Sequence, residues 1–214
     1  MLEPMGAAER RTKQREELRA QILESAREIV SREGYRALTM RRIAEAIEYS
    51  PAAIYQYFEN RDAIAAALMD QGFEELAEVL EPLASIADPA QRLEAAGRAY
   101  VAFGLDRPET YRLMFMDDPE ITATVLSAPS KHSNAGERAY LALIGPIGEL
   151  GAAGTLRAGL DAQATADALW SSLHGLISLR LTCPSFPETP NDKLVDTILG
   201  AFFHGIYASE AARL

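Results

Sequence analysis

The segment LTMRRIAEAIEYSPAAIYQYFENR, residues 38–61, carries the strongest structural pattern in this chain. Thr39 predicts the N-cap of a short helix. Ser50 followed by Pro51 predicts a second helix start, because a hydroxyl cap and a proline in the first turn are both typical of one. Asn60 predicts the cap of a third helix. Two short helices joined by a tight turn form a helix-turn-helix. The apolar residues between the caps recur at helical spacing, at Ile43, Ala44, Ile47, Ile54 and Phe58.

The second helix of a helix-turn-helix enters the DNA major groove, and the outward residues of segment 51–57 suit that role. Alanine methyls can contact thymine methyls, glutamine can pair with adenine, and tyrosine and arginine suit phosphate oxygens. An ordinary helical hairpin has the same periodicity, so periodicity alone leaves both interpretations open. The candidate contacts by chemistry are Ala52, Ala53, Tyr55, Gln56 and Tyr57 together with Arg41, Arg42 and Arg61.

The motifs T-x-R-x-I-A-x-A, S-x-A-A-I-Y-x-Y-F and N-R-D-A-I resemble the DNA-binding domain of the tetracycline-repressor (TetR) family over about residues 15–65. The resemblance implies an all-α, homodimeric transcription regulator that a ligand controls. In two places the chain departs from the family pattern. Glu48 stands in the turn where the family usually has glycine, and Pro51-Ala52 replace a polar residue and glycine, so no relative's base preference transfers. The implied DNA contacts are Thr39, Arg41, Ser50, Pro51, Ala52, Ala53, Tyr55, Gln56, Tyr57 and Arg61.

The composition limits the class of protein. Hydrophobic residues make up 48% of the 214 residues, which is enough for a large core. No apolar run reaches the roughly 18 residues that span a bilayer, and the first 20 residues are too polar for a secretory signal. One cysteine, Cys183, excludes an internal disulfide, fits a reducing compartment and is expected to pack inertly. We therefore expect a cytoplasmic protein with no membrane partner.

The net charge of −10 is unusual for a DNA-binding chain, and its distribution explains it. Residues 1–61 hold 11 Lys/Arg and 10 Asp/Glu, whereas residues 62–214 hold 10 and 21. Attraction to DNA must therefore be local, from arginines at the DNA-facing end, while the acidic remainder repels DNA and orients the protein.

The helical pattern predicts about nine helices in three parts. The first helix is expected over 13–33 and the fourth over 60–83. A basic cluster near the start either contacts DNA or belongs to a solvated tail. The three parts are a flexible arm (1–12), a helix-turn-helix DNA-binding domain (13–61) and a helical effector-binding and dimerisation domain (62–214).

The last two predicted helices, at 161–182 and 191–211, are apolar on more sides than one buried face requires. Such an excess indicates either a partner surface or a central position in the core. We expect a four-helix interface between two copies, because a two-fold operator also needs two reading heads. The predicted interface residues are Trp170, Leu173, Ile177, Leu181, Leu199, Phe202, Phe203 and Ile206.

Aromatic residues and methionines in the predicted body suggest an effector pocket, although such stripes are also typical of plain core. Residues 168–176, ALWSSLHGL, resemble the Trp-His-Gly signature of one C-terminal subgroup of the TetR family. His174 on this apolar helix is either a ligand contact or a satisfied core histidine. Few cations are available inside, which favours a small apolar or cationic effector. The predicted pocket residues are Tyr100, Phe103, Tyr111, Met114, Phe115, Tyr140, Trp170 and His174.

These observations lead to one principal hypothesis, a homodimeric repressor that a small molecule releases from a double-stranded DNA operator with an inverted repeat. The alternative is a helical ligand-binding or scaffold dimer without DNA binding. An enzyme is disfavoured, because the chain has no catalytic constellation, no Gly-rich phosphate loop and no metal-ligand spacing among its histidines. We expect neither a metal nor a cofactor.

Overall fold

The computed structural model describes residues 6–117, 122 and 135–207, and these form nine α-helices. Apart from one isolated bridge between Leu156 and Tyr207, the described residues form no β-structure. The predicted all-α class is confirmed. The helices are α1 (Ala7–Glu33), α2 (Met40–Ala46), α3 (Pro51–Ile54), α4 (Arg61–Leu80), α5 (Pro89–Asp106), α6 (Pro108–Phe115), α7 (Ala135–Ala152), α8 (Ala162–Thr182) and α9 (Asn191–Ile206).

Contacts divide the chain into two compact units, here called the head and the body. The head comprises residues 1–71 and 112–128, and the body comprises residues 72–111 and 129–214. The division falls within α4 and within α6, so each of these helices contributes to both units. None of the described helices is both long and apolar enough to cross a membrane.

The helices of the head begin where the sequence predicts. The side chains of Thr39, Ser50 and Asn60 each accept a hydrogen bond from the backbone N–H three residues later, at 3.2, 3.3 and 2.8 Å. Each bond satisfies a donor that a helix N-terminus otherwise leaves unpaired. The helix α3 is a single turn, and the backbone N–H groups of residues 55–58 continue it as further turns.

Only the second half of α1 belongs to the core of the head. Its buried residues pack with those of α2, α3 and α4, while residues 8–17 are exposed. The helix begins at Ala7, earlier than predicted, so residues 7–12 are helical where we expected an arm. The Glu9 carboxylate accepts the Gly6 N–H at 2.8 Å, and this bond caps the earlier start. The core residues from α1 are Ile22, Leu23, Ala26, Ile29 and Val30.

The backbone is strained at Glu48, in the turn between α2 and α3. Glu48 has a φ of 59°, and among the described residues it is the one non-glycine residue with a positive φ. A side chain in this left-handed region costs about 1–2 kcal/mol, because its Cβ crowds the backbone. The family pattern has glycine at this position, so the strain belongs to this chain's own sequence.

Replacing Glu48 by glycine should therefore raise the free energy of unfolding by about 1 kcal/mol, measured by urea titration at a fixed protein concentration. The matched control is Glu28→Gly, since Glu28 is exposed in the middle of α1. Glycine there should lower stability by about 1 kcal/mol. If both changes lowered stability equally, the turn would not be strained.

In the body, α5 is the central helix and packs against α7, α8 and α9. Two glycines allow this close approach. A Cβ on Gly104 would lie 2.8 Å from Ile177 of α8, and one on Gly97 would lie 3.1 Å from Leu199 of α9. Asp88 caps α5 by accepting a backbone N–H at 2.8 Å, as its position before proline predicts.

Two helix ends differ from the prediction, and one helix passes through a proline, a residue that usually kinks or breaks a helix. The helix α4 ends at Leu80, because Pro82 follows within a 3₁₀ turn over Glu81–Ser85. The helix α7 continues through Pro146. The helix α9 ends at Ile206, and the predicted remainder up to residue 211 lies outside the described residues apart from Tyr207. Cys183, expected to be packed, is exposed.

Candidate functional site

The start of α3 presents one exposed face. Pro51, Ala52, Tyr55 and Gln56 are exposed, and their spacing of i, i+1, i+4 and i+5 puts them on the same side of the helical turns. Tyr55 is 55% exposed, although a large aromatic residue is usually covered. The face carries no acidic side chain, so it can approach an anionic partner closely. The predicted contacts Ala53 and Tyr57 are half-buried beside it.

The hydroxyls of two other predicted contacts are already engaged, since Thr39 and Ser50 cap α2 and α3. A side chain that caps a helix can still face a phosphate, because the cap sits at the positive end of the helix. Thr39 and Ser50 therefore mark the positive ends of α2 and α3.

The arginines of α2 play different parts in the structure. Arg41 is exposed, and its Nε donates to Glu45 on the same helix at 2.7 Å. Arg42 is half-buried, donates through both terminal nitrogens to the Glu33 carboxylate, and reaches the Ala37 carbonyl at 3.4 Å. Arg42 therefore joins α2 to the end of α1, and it holds the pKa of Glu33 below its usual value. Arg41 is the arginine of this pair that is placed to meet a partner.

Arg61 begins α4 and lies over an aromatic ring. Its guanidinium carbon is 4.6 Å from the centre of the Tyr35 ring, and its Nε donates to Asp62 at 2.9 Å. The Tyr35 hydroxyl also donates to Asp62, at 2.8 Å. Tyr35 and Arg61 together lower the pKa of Asp62. These contacts fix the direction of Arg61 at the start of α4.

The body contains a chain of polar groups that links α5, α6 and α8. Trp170 Nε1 donates to the Tyr100 hydroxyl at 3.0 Å, the hydroxyls of Tyr100 and Tyr111 are 2.8 Å apart, and the Tyr111 hydroxyl is 2.6 Å from His174 Nδ1. One arrangement satisfies all three contacts, with Trp170 donating to Tyr100, Tyr100 to Tyr111 and Tyr111 to His174. His174 Nδ1 is then an acceptor.

Burial keeps these groups neutral. It raises the pKa of Tyr100 to about 12, also raises the pKa of Tyr111 and lowers the pKa of His174. A neutral His174 fits its part as an acceptor, because a protonated ring has no free lone pair. This series of hydrogen-bonded groups therefore ends in the neutral imidazole of His174, and it offers no cation to a ligand at pH 7.

The structure brings together four of the eight predicted pocket residues, namely those of the polar chain. Phe103 is buried in α5, and the Arg107 guanidinium lies 5.1 Å from its ring centre. Tyr140 is half-exposed, and its hydroxyl contacts Gln163 and Asp167 of α8 at 2.6 and 3.0 Å. Two further predicted residues belong to the head, Met114 and Phe115.

The predicted interface residues divide into two sets. Four are buried within the chain itself and so cannot meet a second copy, because they already pack in the body. The other four are half-buried and keep some surface. The buried set is Leu173, Ile177, Leu199 and Ile206, and the half-buried set is Trp170, Leu181, Phe202 and Phe203.

Small residues make up part of the exposed surface of α8 and α9. Between Ala168 and Thr182, none of the exposed positions of α8 carries a charge. Gly175 on α8 and Gly200 on α9 face open space, with no described atom within 4 Å of a Cβ placed there. Sequence reasoning missed these residues because it searched for large apolar side chains. The small exposed residues are Ala168, Ser171, Ser172 and Thr182 on α8, and Thr197, Gly200 and Ala201 on α9. Over the same stretch α8 also exposes Leu179, and α9 also exposes Asn191, Asp192, Lys193, Asp196 and His204.

Two family models match the chain. The model described as "Tetracyclin repressor-like, C-terminal domain" matches residues 93–207, which is more than half of the chain. The model described as "Bacterial regulatory proteins, tetR family" matches residues 22–68. The chain belongs to the TetR family. It is a transcriptional regulator with a helix-turn-helix DNA-binding domain, as its motifs predict. The Trp-His-Gly subgroup stays a prediction.

Named relatives agree with this assignment. The transcriptional activator FasR of Mycolicibacterium smegmatis is 31% identical over 126 residues, which span 56% of this chain and 58% of FasR. The uncharacterised regulator YvkB of Bacillus subtilis is 24% identical over 87% of this chain and 96% of its own length. A protein of unknown function from Rhodococcus sp. RHA1 has a TM-score of 0.72 at 26% identity, over 89% of this chain and 96% of that one.

We expect the hydrogen-bonded groups Trp170, Tyr100, Tyr111 and His174 to stabilise the body of this TetR-family regulator. Tyr111→Phe leaves His174 Nδ1 and the Tyr100 hydroxyl without their shared partner inside the body. We expect a loss of about 1–3 kcal/mol in the free energy of unfolding, because removing one partner of a buried hydrogen bond costs more than the bond contributes. Urea titration at a fixed protein concentration measures it.

The control for that change is Tyr140→Phe, which removes the same atom from a half-exposed tyrosine. Water replaces the lost partner there, so the loss should stay below about 1 kcal/mol. Equal losses in the two variants would mean that the polar chain does not stabilise the body.

Proposed function

We propose that this TetR-family regulator is a homodimeric repressor, which binds an inverted-repeat operator in the cytoplasm and leaves it when a small molecule binds the body. The observation that carries the proposal is the exposed face of α3, where small and neutral side chains stand free of acidic groups. A helix can lie close to base edges only where its side chains are small or hydrogen-bonding. The proposed DNA-binding domain is residues 13–61, and residues 62–214 form the proposed effector-binding and dimerisation domain.

In the proposed complex, Ala52, Ala53 and Gln56 face the bases. The phosphate contacts are Thr39, Arg41, Ser50, Tyr55, Tyr57 and Arg61. Arg42 contributes less, because its guanidinium already binds Glu33 and a backbone carbonyl. Pro51 sets the start of α3 without donating a hydrogen bond.

The dimer that we propose forms through the small-residue faces of α8 and α9. A four-helix interface about a two-fold axis needs faces that approach closely and carry few charges. The small exposed residues of α8, which are Ala168, Ser171, Ser172 and Thr182, meet both conditions. Gly175 and Gly200 let the backbone of a second copy come near, since no side chain of their own subunit fills that space.

The effector that we propose is a small apolar or cationic molecule bound in the body near the Tyr100–Tyr111–His174–Trp170 chain. Those groups are neutral at pH 7, so they can orient a ligand without compensating a negative charge. Regulators of this family bind small-molecule effectors. No catalytic role, metal or cofactor is part of the proposal.

Release would act through α4, which begins at the reading head and ends in the body. Within the body, Arg138 of α7 binds Glu74 at 2.9 Å and Glu81 at 2.7 Å, so the end of α4 moves with α7. A pivot of α4 changes the spacing of two reading heads, which must match the DNA turn. The effector must then bind the misfit state better, and linkage limits its effect to about 1–3 kcal/mol.

Selection from a random-sequence DNA library tests the DNA-binding part of this proposal. We expect enriched duplexes with two inverted half-sites about one helical turn apart, or a multiple of that. Failure to enrich any sequence would favour the alternative of a ligand-binding or scaffold dimer without DNA binding.

A reporter gene behind the selected site tests the sign of regulation. Expression of the regulator should lower reporter output if the protein is a repressor. A rise in output would contradict repression and make the protein an activator, the role that the name FasR gives to its relative.

A further inference from the structure

We propose that DNA contacts extend from the helix-turn-helix onto α1, whose exposed first turns form one wall of a groove for a sugar-phosphate strand. The inference rests on the proposed DNA binding and adds a second contact element to it. The groove lies within the head and has a volume of about 540 Å³. Its α1 wall carries Arg11, Gln14 and Arg15, and its opposite wall carries Tyr49, Gln56 and Tyr57.

The first half of α1 has no part in packing that would explain its length. Residues 8–17 are exposed, and the helix joins the core only from Leu18 onward. A helix whose first three turns touch no core gains little from packing, and packing is the main source of helix stability in proteins. These turns nevertheless form one wall of the groove. A role in DNA binding would explain why the helix extends beyond the core.

The charge of this helix segment suits a polyanion. Residues 7–19 carry five Lys/Arg and three Asp/Glu, within a chain whose net charge is −10. The one acidic residue lining the groove, Glu17, lies 3.8 Å from the Lys13 ammonium, which offsets its charge. The cations on the groove wall, Arg11 and Arg15, therefore set its local potential.

The two walls belong to one surface. The Arg15 guanidinium carbon lies 5.8 Å from the centre of the Tyr57 ring. This contact joins α1 to the turns that follow α3. Gln56 lines the groove and also belongs to the exposed face of α3. Duplex DNA docked on that face must pass the groove, so one strand meets guanidinium groups on one side and tyrosine hydroxyls on the other. Phosphates are the groups that both can bind.

The test measures binding of the full chain to a random-sequence duplex of about 40 bp by fluorescence anisotropy, between about 50 and 200 mM salt. The double variant Arg11→Gln with Arg15→Gln should make the negative slope of log K against log salt shallower by about 1.8 for each subunit. Each lost phosphate contact removes about 0.9 from its magnitude. Glutamine keeps a high helix propensity, so α1 should stay folded by circular dichroism.

The control is the double variant Arg32→Gln with Arg36→Gln, which removes the same charge from exposed positions of the head outside the groove. Its slope should change by less than half as much. Equal slopes in the two double variants would overturn the groove and leave only a general charge effect. If the unaltered protein bound no duplex, the proposed DNA binding and the groove would both fail. If it bound duplex but the two double variants had equal slopes, the groove alone would fail.

Discussion

Replacing Gly200 by glutamate should dissociate the proposed dimer and leave each subunit folded. Gly200 is exposed on α9, and no described atom lies within 4 Å of the position that a Cβ would take. Glutamate is a better helix former than glycine by about 0.5–1 kcal/mol, so the isolated subunit should gain stability. In a two-fold interface the same change buries an unpaired charge from both subunits, which costs several kcal/mol.

Sedimentation velocity gives the oligomeric state, and circular dichroism checks that the variant is folded. The matched control is Gly148→Glu on α7, since Gly148 is also an exposed helical glycine with open space around it. That variant should remain dimeric. Gly175→Glu repeats the test on α8. A folded dimer in both the Gly200 and the Gly175 variants would move the interface away from α8 and α9.

Substituting the large apolar residues of these helices would not give the same information. Leu199 is 2% exposed and packs against Gly97 of α5 within its own subunit. Leu199→Glu would therefore unfold the body whether or not a dimer exists, because it buries a charge in the core. The exposed glycines separate assembly from folding.

The second large effect is expected from Ala52→Glu, which should weaken DNA binding by about 100-fold or more, since like charges brought together at an interface cost several kcal/mol. Ala52 is exposed and is the second residue of α3 after the Ser50 cap. A carboxylate there is favourable for the helix itself, because the N-terminal turn carries partial positive charge. The variant should therefore fold and dimerise normally while it repels the phosphates and bases.

Anisotropy with a selected duplex measures the loss, and sedimentation confirms that the dimer is intact. Ala102→Glu on α5 is the control, because Ala102 is an exposed helical alanine in the body. Its affinity should stay within about three-fold of the unaltered protein, since Ala102 is not among the proposed DNA contacts. Unchanged affinity in Ala52→Glu would mean that α3 does not face DNA.

Local sequence chemistry was enough to predict the helix starts. Thr39, Ser50, Asn60, Asp88 and Asp161 each cap a helix in the structure as their sequence context predicts. A cap bonds to a backbone N–H only two or three residues away, so its partner is set by the chain itself. The start of α1 is equally local, and Glu9, three residues after Gly6, is the residue in the sequence that indicates it.

The helical class, the helix-turn-helix and the family could therefore be predicted from the amino-acid sequence, because all three depend on patterns within short segments. The sides of α8 and α9 that face their own core could be seen in the folded chain alone, since helical periodicity does not distinguish core from interface. The tertiary structure also decided that Tyr100 meets Trp170, 70 residues away, and that Tyr111 meets His174, 63 residues away. Such contacts form when distant helices pack, and no spacing along the chain encodes them.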